Sequence, residues 1–266
     1  MPTPHDPSKR ADYARRRLIG QLRRAEFPGA TALADILGNC TAGMPCGSAA
    51  CPCCGLAHQQ AAVSAVDRFI REPARAIRGR MTAVTIVPAA GCVAPNDLTV
   101  ELCRQIINQI VATFARLDLP ASVIGLEVSF NEDLTKEVEP HWCIHVHAIV
   151  YDWLTDAQKK ALRAAFVRSR WAKRPVYITE LDHRINGRLY PFKAERFRRQ
   201  AYIDDSNPKR RPFRATRSKD LRPEQAVSLA IVEHQLGFGQ RLLSHKIDEG
   251  ALKRHLEGLE WARDGP

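Results

Sequence analysis

His141, Cys143, His145 and His147 occupy alternate positions in HWCIHVHAIV, residues 141–150. Side chains two apart on a strand share a face, so His145 and His147 project together while Ile144, Val146, Ala148 and Val150 turn to an apolar face. Two imidazoles offered to one point are metal-ligand chemistry. If the segment SVIGLEVSFN, 122–131, pairs beside them, Glu127 brings a carboxylate to the same point. A two-histidine, one-carboxylate set with open positions suits a catalytic divalent ion. His141 is the alternative third ligand, on the correct face if the strand stays regular back to it. The bland alternative is a row of satisfied or solvent-facing histidines on a half-exposed sheet. Two histidines on one face, a third at His141 and a nearby glutamate weigh against it.

A second group of ligands is crowded into GNCTAGMPCGSAACPCCG. Five of the eight cysteines lie there, as Cys40, Cys46, Cys51, Cys53 and Cys54, while Cys92, Cys103 and Cys143 are scattered. So short and polar a segment cannot build a core from buried thiols, and in a cytosolic chain tetrahedral thiolate ligation of zinc explains it better than disulfides. The spacing selects Cys40, Cys46, Cys51 and Cys54 as ligands of a closed, structural Zn2+. Cys53 is the spare, and His58 substitutes if Cys40 lies too far away.

Charge narrows the partner. The chain carries 40 Lys and Arg against 29 Asp and Glu, a formal net charge of +11. From Arg184 to Arg222 thirteen basic residues stand against four acids, and Arg184, Arg188, Arg196, Arg198, Arg199, Lys209, Arg210 and Arg211 are the candidate phosphate contacts. Arginine suits forked contacts to phosphate, so nucleic acid leads over an anionic membrane surface and over a solvated loop that binds nothing. No apolar run reaches the roughly 20 residues needed to span a bilayer, and the N-terminus lacks the apolar core of a signal peptide, so a cytoplasmic protein is expected.

These residues need a scaffold. The pattern predicts two short basic helices within 8–38 around Phe27-Pro28-Gly29, a helix at 57–71, a strand at 81–88 (MTAVTIVP), and a helix at 97–117 with Asp97 as N-cap. Strands follow at 122–131 and 141–150, joined by the polar NEDLTKEVEP. Next come a helix from Thr155 to about Trp171, a strand at 176–182, a helix at 223–243 and a polar helix near 250–261. The order implies an α+β fold: an antiparallel sheet with helices on one side, a small N-terminal zinc-binding segment and C-terminal helices. The divisions expected are 1–72, 73–215 and 216–266.

His145-Val146-His147, two histidines bracketing a hydrophobic residue on a strand, resembles the signature of the HUH endonucleases. These are the rolling-circle replication initiators, relaxases and related transposases that nick single-stranded DNA. MTAVTIVP is similar to the first motif of plasmid replication proteins, and LEVSFNEDLTKEVEPHWCIHVHAIV to their glutamate strand leading into the metal strand. Tyr190-Pro191-Phe192-Lys193 matches the Y-x-x-K pattern around the nucleophile. The resemblance spans about 80–200, and the cysteine knuckle ahead of it resembles that of some bacterial replication proteins. It implies an HUH-like fold, Mg2+ or Mn2+ as catalytic ion, and Tyr190 as nucleophile with Lys193 favouring the phenolate. Tyr202, in RFRRQAYIDD, is the alternative tyrosine, read in a helical setting but with Asp205 where the lysine belongs.

The expectation is a site-specific nickase and ligase acting on single-stranded or hairpin DNA through a 5′ phosphotyrosine. It would initiate rolling-circle replication of a plasmid or related mobile element, or act as a single-strand transposase. Two other functions stay open: a zinc-containing nucleic-acid-binding protein that does not cut, and a hydrolytic nuclease using metal-bound water. The region past Arg222 holds no catalytic constellation, and contacts there with a second subunit or a host replication protein are both open.

Overall fold

A computed structural model of the chain describes residues 6–71, 81–181, 192–193, 196–206, 211 and 213–247. Three helices open it. In α1 (Pro7–Leu22) the Asp6 carboxylate accepts from the Ser8 and Lys9 amides, and Pro7 takes the first turn, where no amide is missed. Gly29, at φ 80°, lets the chain turn into α2 (Ala30–Gly38). The third, α3 (Pro52–Arg71), begins inside the cysteine cluster, earlier than the 57–71 expected, with Pro52 at its start.

An eight-stranded sheet follows, made of β1 (Met81–Ile86), β2 (Cys92–Val93), β3 (Ser122–Asp133), β4 (His141–Val150), β5 (Val176–Leu181), β6 (Arg198–Asp204), β7 (Phe213–Lys219) and β8 (Leu242–His245). Its main path runs β5-β1-β4-β3-β6-β7, with β2 on β4 and β8 on β3. All these pairs are antiparallel except β3 with β6, which is parallel. The sheet is therefore mixed, correcting the expected antiparallel one. A parallel neighbour needs a long crossover, and the chain from β4 through α5 and β5 supplies it.

Three further helices complete the α+β fold: α4 (Val100–Arg116), α5 (Asp156–Ala165) and α6 (Pro223–Arg241). The N-cap of α4 is Thr99, whose hydroxyl accepts from the Leu102 amide at 3.1 Å. Asp97 instead donates its amide to Ala94 in a preceding turn. Thr155 opens α5 with a reciprocal capping box to Gln158, but the helix stops at Ala165, short of Trp171. Phe166 goes extended there and buries its ring in the core.

One sheet face (Val84, Ile86, Ile124, Leu126, Val128, Phe130, Trp142, Ile144, Val146) packs against Ile106, Ile110 and Phe114 of α4 and Leu229, Val232 and Leu236 of α6. Val227, Ala230, Ile231 and Phe238, also from α6, pack on α1, α2 and the cysteines. Thus α6 is shared by two cores, and the division expected at 215/216 falls inside β7. Gly237, at φ 67°, kinks α6 just before Phe238. The helix expected near 250–261 lies outside the described residues.

Candidate metal and nucleic-acid site

Strand register builds the histidine site. β3 and β4 pair over ten positions, from Ser122 opposite Val150 to Asn131 opposite His141, with Glu127 directly across from His145 and Gly125 across from His147. On the other flank Thr85 of β1 faces His147. Even-numbered residues of β3 and β4 fill the main core. Thr85, Glu127, Ser129, His145 and His147 therefore share the opposite face. Since Gly125 puts no side chain opposite His147, the diagonal Glu127 reaches it. The Glu127 Oε2 lies 2.9 Å from His147 Nε2, and the Thr85 hydroxyl lies 3.0 Å from His147 Nδ1. A carboxylate only accepts, so His147 Nε2 donates in this hydrogen bond.

Two cations complete the surroundings. Along its outer edge β3 pairs with β8 up to Gly125 and with β6 from Phe130 onward, and Glu127 sits in the interval. Lys193 Nζ comes to 3.5 Å from Glu127 Oε2 and Arg199 Nη2 to 3.6 Å from Oε1. Burial opposes ionisation of Glu127, but the His147 hydrogen bond and the neighbouring His145, His147 and Lys193 side chains outweigh it and hold the carboxyl at about 2. Burial pushes His145 down to about 3, helped by the Arg199 charge. That imidazole is neutral, its Nε2 3.1 Å from Ser129 Oγ.

As placed, Glu127 and His147 meet but His145 does not join them, and among the described residues the gathered metal-ligand set is the four cysteines. Two ligands held at about 2.1 Å on adjacent corners of an octahedron stand about 3 Å apart, close to the 2.9 Å between Nε2 and Oε2. Glu127 Oε1 is buried and accepts no hydrogen bond, with the Arg199 guanidinium 3.6 Å away. His145 would have to turn from Ser129 to join them. His141 is engaged elsewhere: its Nδ1 is 2.7 Å from the Glu139 carbonyl and its ring leans on Trp171 at 5.5 Å.

The cysteines are gathered more tightly. Cys40, Cys46, Cys51 and Cys54 have their sulfurs within 4.8 Å of one another. Three of the separations are 3.6, 3.7 and 3.6 Å. A tetrahedron with Zn–S of about 2.3 Å has edges near 3.8 Å, so the cage is of zinc size. Hydrogen bonds from Cys46, Cys53 and Cys54 hold the Cys51 thiol far below its usual range. Sharing that proton-poor centre pushes Cys46 up to about 12 and Cys54 higher still. A dication bound among these thiols would displace their protons. His58 takes no part, since it stacks on Phe238 at 4.3 Å. Cys92 and Cys143, read as scattered, are register partners on β2 and β4 and form a disulfide.

Of the predicted nucleophiles, Tyr190 lies outside the described residues. Phe192 is buried beside Ile149 and Val123 on the histidine face, which is what brings Lys193 to Glu127. Tyr202 lies on strand β6, not a helix, with the Arg217 guanidinium 5.1 Å from its ring. Arg184, Arg188, Lys209 and Arg210 also fall outside the described residues, and Arg211 is exposed. Arg196, Arg198 and Arg199 pair inward with Glu233, Glu132 and Glu127. They are only partly available to phosphate. Thr85 and Ser129 were not singled out from sequence, although each shares the face of the histidine it bonds by simple alternation.

No protein-family model, no curated protein and no solved structure matches the chain. Among the described residues no helix is long and apolar enough to cross a membrane.

Proposed function

We propose that the chain is an HUH-type endonuclease that nicks and rejoins single-stranded or hairpin DNA through a 5′ phosphotyrosine, starting rolling-circle replication of a mobile element in the cytoplasm. The observation that carries this reading is the meeting of the Y-x-x-K lysine with the histidine strand: Lys193 lies 3.5 Å from Glu127, which is 2.9 Å from His147. The residues forming that contact come from three separate parts of the chain.

Mg2+ or Mn2+ held by His145, His147 and Glu127 would supply Lewis-acid polarisation of the scissile phosphate. Tyr190 loses its phenolic proton and attacks phosphorus. The Tyr190 Oη–P bond forms, the P–O3′ bond breaks, and the departing 3′ oxygen takes up a proton. Lys193 and Arg199 supply positive charge where the phenolate and the phosphate oxygens develop negative charge. Zn2+ on the four cysteines is structural in this reading. The exposed part of the basic region, including Arg211, tracks the DNA backbone.

The inward pairing of Arg196, Arg198 and Arg199 and the closed Glu127–His147 hydrogen bond favour a second reading, a zinc-containing nucleic-acid binder that does not cut. Covalent capture separates the two. Incubation with Mn2+ and single-stranded DNA, followed by a denaturing gel, gives a protein band carrying DNA only for the nickase. That band should vanish in Tyr190→Phe and His147→Ala. Cleavage without an adduct indicates hydrolysis by water, and salt-sensitive binding with neither indicates the binder.

A further inference from the structure

Arg196, expected on the nucleic-acid surface, is 15% exposed and faces inward. Its Nε pairs with Glu233 of α6, and its Nη2 donates to the Ala49 carbonyl at 2.8 Å. Arg241 closes the same cluster, 3.2 Å from Glu233 and 3.4 Å from the Ala49 carbonyl. Ala49 is fully buried between Cys46 and Cys51, and neighbouring Ser48 holds His234 of α6 at 3.0 Å. Along the chain Arg196 stands three residues after Lys193 and three before Arg199, the two cations that flank Glu127 at 3.5 and 3.6 Å. A single guanidinium thus ties the cysteine loop to the segment that feeds charge to the histidine face.

We infer that Arg196 is a positioning residue through which metal on the four cysteines sets the placement of Lys193 and Arg199 at Glu127. The Gly-Ser-Ala loop from Cys46 to Cys51 has too little apolar mass to hold its own shape, so ligation fixes it. Fixing the loop aims the Ala49 carbonyl, a directional acceptor, at Nη2. The guanidinium is planar and forked, so it satisfies that carbonyl and Glu233 at once. The mechanical link stands on these contacts; its consequence for nicking rests on the proposed function.

The test is hydrogen exchange on the full chain, zinc-loaded and after chelation under reducing conditions, with bound metal measured in parallel. Stripping should speed exchange at 196–204 by about 10-fold while the β1–β5 pairing at 82–86 stays unchanged. Arg196→Met should show that fast exchange with zinc still bound and no further rise on stripping. Arg196→Lys, which keeps one donor for Glu233, should recover part of the protection. If Arg196→Met does not fold, Glu233→Gln replaces it with the same expectation. The inference is overturned by a chain that takes up no metal, by exchange at 196–204 indifferent to stripping, or by a rise spread equally over 82–86. A wild-type profile in the folded variant also overturns it. In a nicking assay Arg196→Met should lower kcat about 10-fold with KM nearly unchanged. Wild-type protein that never nicks would sink the proposed function and leave the exchange result to decide the link.

Discussion

His147 and Glu127 are joined by a 2.9 Å hydrogen bond across two strands, with both side chains almost wholly buried. A carboxylate so enclosed is stable because an imidazole N–H, an ammonium and a guanidinium surround it. His147→Ala and Glu127→Gln should each lower Mn2+-dependent nicking on the order of 100-fold. Thr85→Val, which removes only the hydroxyl at His147 Nδ1, should weaken Mn2+ affinity by about 10-fold. Metal titration followed by electron paramagnetic resonance reads the affinity directly, and unaltered affinity in all three variants would remove these residues from the metal site.

Tyr202 stands well away from the histidine site. Ala201 pairs with Asp133, six residues along β3 from Glu127. That places the β6 backbone at Tyr202 about 20 Å from the carboxylate's strand position. Tyr202→Phe should therefore leave covalent capture of DNA intact, whereas Tyr190→Phe should abolish it. Loss of the adduct in Tyr202→Phe alone would reverse the assignment.

Purified protein should carry one zinc per chain. Cys51→Ser should lose it and melt at lower temperature, because α1, α2 and the end of α6 pack on the same cluster as the thiols. Metal analysis with a thermal melt by circular dichroism checks both parts. A zinc-free chain with an unchanged melt would contradict the role.

Acid should weaken the fold through His145. Folded, this imidazole resists protonation down to about 3. The unfolded chain takes up the proton near 6.5. Stability from this group is therefore complete above about 6.5 and is lost as pH falls toward 3, at up to about 1.4 kcal/mol per pH unit. His58, held down to about 4 chiefly by burial, adds to the slope over a narrower window. Urea unfolding of metal-free protein between pH 7 and 4 measures the slope, and His145→Gln should flatten it.

The arginines should divide into two kinds. Arg198 pairs with Glu132, which is 7% exposed at its side chain and is also held by Arg222. Arg198→Ala should cost about 1–3 kcal/mol of stability. It should hardly alter how DNA affinity depends on salt. Arg211→Ala should leave stability unchanged and lower the salt slope by about one. Fluorescence anisotropy across a salt series separates these effects.

Alternation alone made β3 and β4 legible, because each turns one apolar face to the helices, and a one-residue slip would turn the histidine and glutamate face into that apolar core instead. The four cysteines selected by spacing are the four gathered in the structure, since thiols so close in a short polar loop have few other places to go. Cap chemistry was less legible: Asp97 and Thr99 are both good N-caps, and the helix used the one adjoining its first buried residue, Val100. RFRRQAYIDD has no clear period, and it became a strand because the outer edge of β3 and the strand β7 were there to pair with it.

From sequence alone came the local features: which segments alternate, which thiols crowd, and how much positive charge the chain carries. These depend on neighbours within a few residues. Tertiary structure alone decided the parallel β3–β6 pairing, the Cys92–Cys143 contact, and which arginines turn inward. Arg196 meets Glu233, 37 residues away, and Ala49, 147 residues away. An arginine side chain is the same whether it waits for a phosphate or clamps a buried carboxylate, and only the folded distance to a partner distinguishes the two.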